Sequence, residues 1–202
     1  MSGHPPPPAD LDRRQPRLRT LPAGVRLHRF HTKEKGGQRL DPIYFDQSLA
    51  GRLNAPDGSY GVLYVALSAS GAFAETFLRT PGRTLLDPDL IAAKAYAELT
   101  LTRDLVVMEL HGPGAAAIGA TAELAHGSPP YELPQSWSKA LHGHPCAADG
   151  LAYRARHNDD EVCLAVFERA TSAVAVVQRV ENLDVDWFYV LAEEHGIGLP
   201  PQ

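Results

Sequence analysis

The residues best suited to chemistry lie in one stretch of the chain, where a polar segment leads into an apolar run and then into a helical pattern. Arg52 and Asn54 stand in the polar segment, Tyr64 in the apolar run, and Glu75 among the alanines and phenylalanines of the predicted helix. A carboxylate at an apolar cleft can hold a ribose hydroxyl and stabilise a developing oxocarbenium ion. A tyrosine ring can stack on a flat heterocycle. The stretch therefore indicates a site that binds or cleaves nucleotides.

Each of these residues also has an ordinary structural interpretation. Glu75 fits a solvated position on a helix, and Tyr64 fits a plain core position. Arg52 and Asn54 fit a surface loop that is held by bonds between an asparagine side chain and the backbone. The residue types alone leave both interpretations open.

Arg29 is a further candidate because residues 25–31 alternate apolar and polar side chains, as a half-buried strand does. If Arg29 shares a face with Leu27, its guanidinium points inward and needs an anionic partner. That partner is either an internal carboxylate or a phosphate or pyrophosphate group, which the guanidinium fork fits well.

Nine histidines raise the question of a metal site. His28 with His31, and His142 with His144, have spacings that could chelate, but no carboxylate or cysteine cluster completes either pair at zinc-like spacing. Two cysteines do not make a disulfide framework. We therefore expect no metal, and free thiols of the kind found in cytoplasmic proteins.

The composition is typical of a globular domain, with 202 residues of which 44% are hydrophobic and 21% charged. The net charge of −5 argues against direct nucleic-acid binding, which needs a basic surface. No apolar run approaches the roughly 20 residues of a membrane span, and the N-terminus lacks the apolar core of a secretory signal. We expect a cytoplasmic protein that does not contact a membrane.

Residues 1–20 are rich in proline and arginine and predict an N-terminal tail that is disordered or drapes over the domain, which then spans residues 21–202. Strand patterns outnumber helical ones and do not alternate regularly with them, which favours an α+β fold with a mixed or antiparallel sheet. The predicted strands are residues 25–31, 61–67, 94–102, 105–110, 150–156, 162–167 and 174–180. One predicted helix begins after Ser68 or Ser70, and three others span residues 112–119, 134–141 and 185–195. In the last helix we expect Trp187, Phe188 and Leu191 to point inward.

Taken in order, several motifs resemble the RES-domain family, the toxins of bacterial Xre–RES toxin–antitoxin modules. The resemblance runs from about residue 25 to residue 180. The motifs are Leu-His-Arg-Phe at 27–30, Gly-Arg-Leu-Asn at 51–54, Gly-Val-Leu-Tyr-Val-Ala-Leu at 61–67 with Ala-Phe-Ala-Glu at 72–75, Trp-Ser-Lys-Ala-Leu-His at 137–142, Asp-Gly-Leu-Ala-Tyr-Arg-Ala-Arg-His at 149–157 and Cys-Leu-Ala-Val-Phe at 163–167.

The resemblance implies a fold like that of ADP-ribosyltransferases, with a split sheet and flanking helices around an NAD cleft. Arg29 matches the arginine and Glu75 the glutamate for which the family is named, and Tyr64 matches an active-site tyrosine. In these roles Arg29 binds the pyrophosphate or phosphate side, Tyr64 packs against the nicotinamide ring, and Glu75 holds the ribose hydroxyl. Arg52 and Asn54 line the mouth of the cleft.

The family's serine falls at Ala155, whose methyl group cannot form a hydrogen bond. Either another group such as Ser138 or His157 substitutes in a natural variant, or the alanine is an inactivating change. Loss of one such contact reduces a rate by roughly 10²- to 10³-fold, so residual activity is compatible with either case.

The implied activity is cleavage of the nicotinamide–ribose bond of NAD+, by a glycohydrolase or a phosphorylase, which depletes NAD+ and arrests growth. NAD+ is then the substrate, and an Xre-type antitoxin is the partner that blocks the cleft in a hetero-oligomer. Three alternatives stay open. They are a protein ADP-ribosyltransferase that modifies a metabolic enzyme, a catalytically impaired member that only binds, and an unrelated α+β protein in which Arg29 and Glu75 do not meet.

Overall fold

The computed structural model describes residues 5–80 and 82–198. Within this part of the chain the backbone forms one large sheet and a short hairpin, with helices packed beside the sheet. The strands are β1 (Leu18–Leu21), β2 (Arg26–Thr32), β3 (Glu34–Lys35), β4 (Gln38–Arg39), β5 (Val62–Ala66), β6 (Lys94–Leu101), β7 (Leu105–Glu109), β8 (Gly150–Ala155), β9 (Asn158–Phe167) and β10 (Val174–Val180).

The large sheet has eight strands in the order β1-β7-β8-β9-β5-β2-β6-β10, and β3 pairs with β4 in the separate hairpin. Neighbouring strands of the sheet run antiparallel except β7 and β8, which are parallel. The α+β fold with a mostly antiparallel sheet and flanking helices is thereby confirmed.

The helices are short and connect strands or cover one face of the sheet. They are α1 (Ala69–Phe77), α2 (Pro88–Ala93), α3 (Gly112–Ile118), α4 (Glu123–His126), α5 (Glu132–His142) and α6 (Asp186–Glu194), with 3-10 helical turns at Leu11–Arg13 and Glu168–Ala173.

Helix α1 begins where the sequence predicts, because Ser68 is its N-cap. The Ser68 hydroxyl oxygen accepts a hydrogen bond from the Gly71 backbone N–H at 2.9 Å, which satisfies one of the donors left free at a helix start. The buried face of α1 includes Phe73 and Phe77, which contact Phe188 of α6. This packing fixes α1 against the sheet and leaves Glu75 half-buried beside it.

The sheet parts between β2 and β5. These strands pair only at His28 and Ala66, whereas β2 continues to pair with β6 from Arg26 to Thr32. Continued register would place Val62 opposite Thr32. Instead, Val62 exchanges two backbone hydrogen bonds with Asp46, so the segment that precedes β5 takes the vacated place.

The described part of the predicted N-terminal tail lies over the domain. Strand β1 pairs with β7 at one edge of the sheet, and Leu11 is only 5% exposed. The Trp137 indole N–H donates to the Pro5 carbonyl at 2.8 Å, and Arg14 Nη1 donates to the Ile118 carbonyl at 3.0 Å. These contacts tie the segment to α5 and α3.

The sequence patterns missed several short elements and misjudged one side chain. Strand β1 carries no alternation long enough to stand out, and β3 and β4 have only two residues each. Helices α2 and α4 are too short to show a helical period. On α6, Phe188 is buried as predicted, but Trp187 is 36% exposed. The expectation that Trp187 points inward is corrected to a rim position, where its ring lies beside Phe30 and Tyr96.

Leu11→Ala should destabilise the protein by about 2 to 5 kcal/mol, because it empties a core position filled by the N-terminal segment. Urea denaturation of both forms measures the change. Leu49→Ala removes the same atoms from a side chain that is 63% exposed and should leave the free energy of unfolding nearly unchanged. Equal effects of the two substitutions would show that the N-terminal segment does not contribute to the fold.

Candidate functional site

A cleft of about 750 Å³ opens where β2 and β5 part, between α1 and the segment of residues 40–53. This volume lies within the usual range of small-molecule sites. The cleft brings together Arg29, Arg52, Tyr64 and Glu75, which are separated by up to 46 positions in the sequence. The two arginines and the carboxylate therefore face one common space.

The Glu75 carboxylate is held by the end of strand β8. Its Oε1 accepts a hydrogen bond from the Arg156 backbone N–H at 2.9 Å, and its Oε2 lies 3.5 Å from the Tyr153 hydroxyl, which donates to it. Both donors come from one short stretch of chain, residues 153–156. The carboxylate is therefore oriented before any ligand arrives.

Tyr153 is a proton donor that stays protonated. Its side chain is buried, and burial is the main reason that its pKa lies well above the usual range. The negative charge of Glu75 raises this pKa further, whereas the positive charge of Arg52 opposes the rise. Arg52 thus acts electrostatically on the group that holds Glu75.

Arg52 stands at the Glu75 end of the cleft. Its Nη1 donates to the Ala125 carbonyl, and its guanidinium lies 5.6 Å from the centre of the Tyr131 ring. Its Nε is buried without a hydrogen-bond partner, and no carboxylate of the described residues forms an ion pair with it. The arginine therefore offers an uncompensated positive charge to this end of the cleft.

Arg29 reaches the cleft from the other side. Its Nη1 donates to the carbonyl oxygens of Pro42 and Tyr44 at 3.0 and 3.2 Å. Burial lowers the pKa of Arg29 to about 10, and the charges of Asp46 and Asp41 partly oppose this shift. The guanidinium is still cationic at neutral pH and is positioned by main-chain oxygens.

Tyr64 and Asn54 form one hydrogen-bonded unit at the cleft wall. The Tyr64 hydroxyl donates to Asn54 Oδ1 at 2.9 Å and accepts from the Leu53 N–H at 2.8 Å, and burial raises its pKa. Asn54 Nδ2 donates to the Ser48 carbonyl at 2.7 Å. A Cβ at Gly51 would collide with the Asn54 amide, which explains the glycine in this motif. The Tyr64 ring lines the cleft, whereas Asn54 is fully buried and lies outside the lining.

The structure places the three candidates for the serine role in different environments. Ala155 is fully buried at the end of β8 and is not part of the cleft lining. Ser138 is also fully buried, because its hydroxyl bonds with Tyr60 and donates to the Leu53 carbonyl. His157 lines the cleft and is half-buried. Burial lowers its pKa, Arg156 and Arg52 lower it further, and Glu75 opposes them.

The two histidines of β2 do not converge. His28 and His31 are three residues apart on β2, a spacing that directs side chains to opposite faces of a strand. His28 Nδ1 lies 2.6 Å from the Tyr96 hydroxyl, and His31 Nδ1 lies 3.0 Å from the Thr32 carbonyl. The spacing that suggested chelation along the sequence therefore does not bring the two rings together.

Three contributors to the site escaped the sequence patterns. Tyr153 could have been noticed, because it stands two positions before Ala155 in the motif at 149–157. The backbone N–H of Arg156 carries no signal in residue type. Lys94 stands at the start of a predicted strand and shows its relation to the cleft only through the pairing of β6 with β2.

Tyr64→Phe should lower the free energy of unfolding by about 1 to 3 kcal/mol, because the Leu53 N–H and the Asn54 oxygen both lose a buried partner. Thermal or urea denaturation measures the loss. Tyr44→Phe removes the same atom from a side chain that is 45% exposed and serves as the control. An unchanged stability of Tyr64→Phe would contradict the structural role of the hydroxyl.

Comparison with known proteins agrees with this fold. A solved chain from the crystal structure of the M. tuberculosis MbcT–MbcA toxin–antitoxin complex superimposes with a TM-score of 0.60 at 18% sequence identity, over 88% of this chain and 91% of that one. No curated protein sequence matches the chain. The model of the RES domain family matches residues 24–187. Because this match spans most of the chain, the protein belongs to the RES domain family.

Proposed function

We propose that this protein cleaves the nicotinamide–ribose bond of NAD+ and is the toxin of a toxin–antitoxin pair. The observation that carries the proposal is the carboxylate of Glu75, fixed at the cleft wall by the Arg156 N–H and the Tyr153 hydroxyl. Membership of the RES domain family supports the proposal. The cytoplasm, which holds NAD+, is the proposed site of action.

In the proposed reaction the bond between ribose C1′ and the nicotinamide nitrogen breaks, and its electron pair leaves with neutral nicotinamide. The ribose then carries oxocarbenium character. The Glu75 carboxylate stabilises this positive charge and accepts a hydrogen bond from a ribose hydroxyl. Because Glu75 is already oriented, little reorganisation accompanies the formation of the charge.

The other cleft residues have separate roles in this proposal. Tyr64 presents its ring to the nicotinamide, and Asn54 is a positioning residue that acts through the Tyr64 hydroxyl. Arg52 stands at the reacting end, since its charge acts on Tyr153 and His157 together with that of Glu75. Arg29 is anchored to the Pro42 and Tyr44 carbonyls at the opposite side of the cleft, and it binds the phosphate groups of NAD+.

The acceptor in the second step is water or inorganic phosphate. An oxygen of the acceptor bonds to C1′, and the acceptor gives up a proton. His157 lines the cleft, and because its pKa is lowered it is uncharged at neutral pH and available to receive that proton. Transfer to a protein side chain shares the first step and differs only in this acceptor.

We further propose that an antitoxin of the Xre type covers the cleft. Tyr44 and Leu85 line its rim and are 45% and 49% exposed, so a partner that seals the cleft would bury them. The similar fold in the M. tuberculosis complex was solved with an antitoxin, which supports the same kind of partner here.

Glu75→Gln should reduce the rate of NAD+ loss by roughly 100- to 1000-fold or more, because the amide cannot stabilise the developing positive charge. Nicotinamide release by the purified protein, with and without phosphate, measures the rate and identifies the acceptor. Induction of the unaltered chain should arrest growth, and induction of the Glu75→Gln variant should not.

Glu194→Gln, at an exposed position on α6, is the matched control and should keep the full rate. Equal rates for Glu75→Gln and the unaltered chain would contradict the assigned mechanism. Loss of NAD+ that appears only when a target protein is added, with label found on that protein, would identify a protein ADP-ribosyltransferase instead.

The alanine at position 155 is the basis of one alternative, a catalytically impaired member, and the burial of this position outside the cleft lining counts against it. We expect Ala155→Ser to raise the rate less than roughly tenfold, below the 10²- to 10³-fold of a direct transition-state contact. The reason is that position 155 is buried outside the cleft lining and that Glu75 already has two donors. The same nicotinamide assay measures the change in rate. A harmless, inactive chain that becomes toxic on this substitution would establish the impaired form.

A further inference from the structure

A group of cations lines the cleft around Lys94. Lys94 from β6, Arg79 from the end of α1 and Arg29 from β2 all line the cleft there. This grouping stands out because the chain as a whole carries a net charge of −5.

Lys94 is held with its ammonium group toward the other cations. It pairs with Thr32 across β6 and β2, and its Nζ donates to Thr32 Oγ1 at 2.9 Å. Burial lowers the pKa of Lys94, and the positive charges of Arg79 and Arg29 lower it further. No carboxylate among residues 5–80 and 82–198 forms an ion pair with it.

Arg79 is anchored next to the reacting carboxylate. Its Nε donates to the backbone carbonyl of Glu75 at 2.7 Å, which places a positive charge at the carboxyl end of α1, where helix dipoles favour cations. The remaining guanidinium nitrogens stay available, since the side chain is exposed. The cation group is therefore adjacent to Glu75 but separate from the donors that hold its carboxylate.

The acidic residues of the cleft have other partners. The carboxylate of Asp46 accepts from the backbone and side chain of Ser48. Asp41 accepts from the Ile43 N–H at 2.7 Å, and Asp87 caps α2. Bringing three like charges together costs free energy. The charges of Asp46 and Asp41 offset this cost only in part, at Arg29, and a bound anion would offset it further.

We propose that Lys94, Arg79 and Arg29 form a subsite for the pyrophosphate group of a dinucleotide. This inference rests on the proposed function and adds Lys94 and Arg79 to the residue assigned there to the phosphates. A pyrophosphate diester carries two negative charges on adjacent groups, which suits cations that approach from two strands and a helix end better than a single phosphate does. Lys94 acts as a point charge on one phosphate, and the guanidinium groups supply paired donors.

Lys94→Met keeps the length of the side chain and removes its charge. It should weaken the binding of ADP, measured by calorimetry, by roughly 10- to 100-fold, the usual effect of losing one charge-assisted hydrogen bond. It should raise KM for NAD+ by a similar factor and leave kcat nearly unchanged. Lys139→Met, at an ion pair with Asp57 outside the cleft, is the matched control and should change neither quantity.

Two further measurements decide between sources of phosphate and guard against misfolding. If Lys94→Met raises only the KM for inorganic phosphate and leaves ADP binding intact, the pyrophosphate assignment is overturned. Unchanged ADP binding by Lys94→Met and by Arg79→Gln, with melting temperatures equal to that of the unaltered chain, also overturns it. ADP binding is independent of turnover, so the subsite can be tested even if NAD+ cleavage is absent and the proposed function fails.

Discussion

The parting of β2 from β5 is the constraint on which the site depends. A continuous sheet would carry its hydrogen bonds through this position and leave no space between the strands. Instead, the two strands share one residue pair, and the segment before β5 bonds at Asp46 to the edge that β2 leaves free. The same segment then offers its carbonyls to Arg29. One change in strand pairing thus both opens the sheet and orients the Arg29 guanidinium.

A buried polar unit keeps this opening in shape. Asn54 links Tyr64 of β5 to the segment at Ser48, and Gln135 of α5 donates to the Leu49 and Gly51 carbonyls of the same segment. Buried polar groups of this kind are costly unless all are satisfied. Their joint satisfaction therefore specifies one arrangement of the segment, and the Tyr64 ring is presented to the cleft as part of it.

The sequence was informative where side-chain pattern and backbone agree. The alternation near Arg29, the apolar run around Tyr64 and the serine cap of α1 predicted elements that the structure contains. It was uninformative where main-chain geometry decides. Asn54 has a residue type that is common in ligand-facing loops, yet it is buried outside the cleft lining and supports Tyr64. Ala155 also lies outside the lining, because the face to which a side chain points at the bulged end of β8 depends on the strand register. Lys94 and Arg79 meet only through tertiary pairing.

The firmest hydrogen bond to Glu75 comes from the main-chain N–H of residue 156, not from the arginine side chain found there. Every amino acid except proline supplies that donor. Substitution at position 156 can therefore alter charge and shape around the cleft and still leave the Glu75 carboxylate in the same orientation. A site built in this way tolerates wide divergence in the segment after β8, and a comparison of residue types alone would overlook its most persistent part.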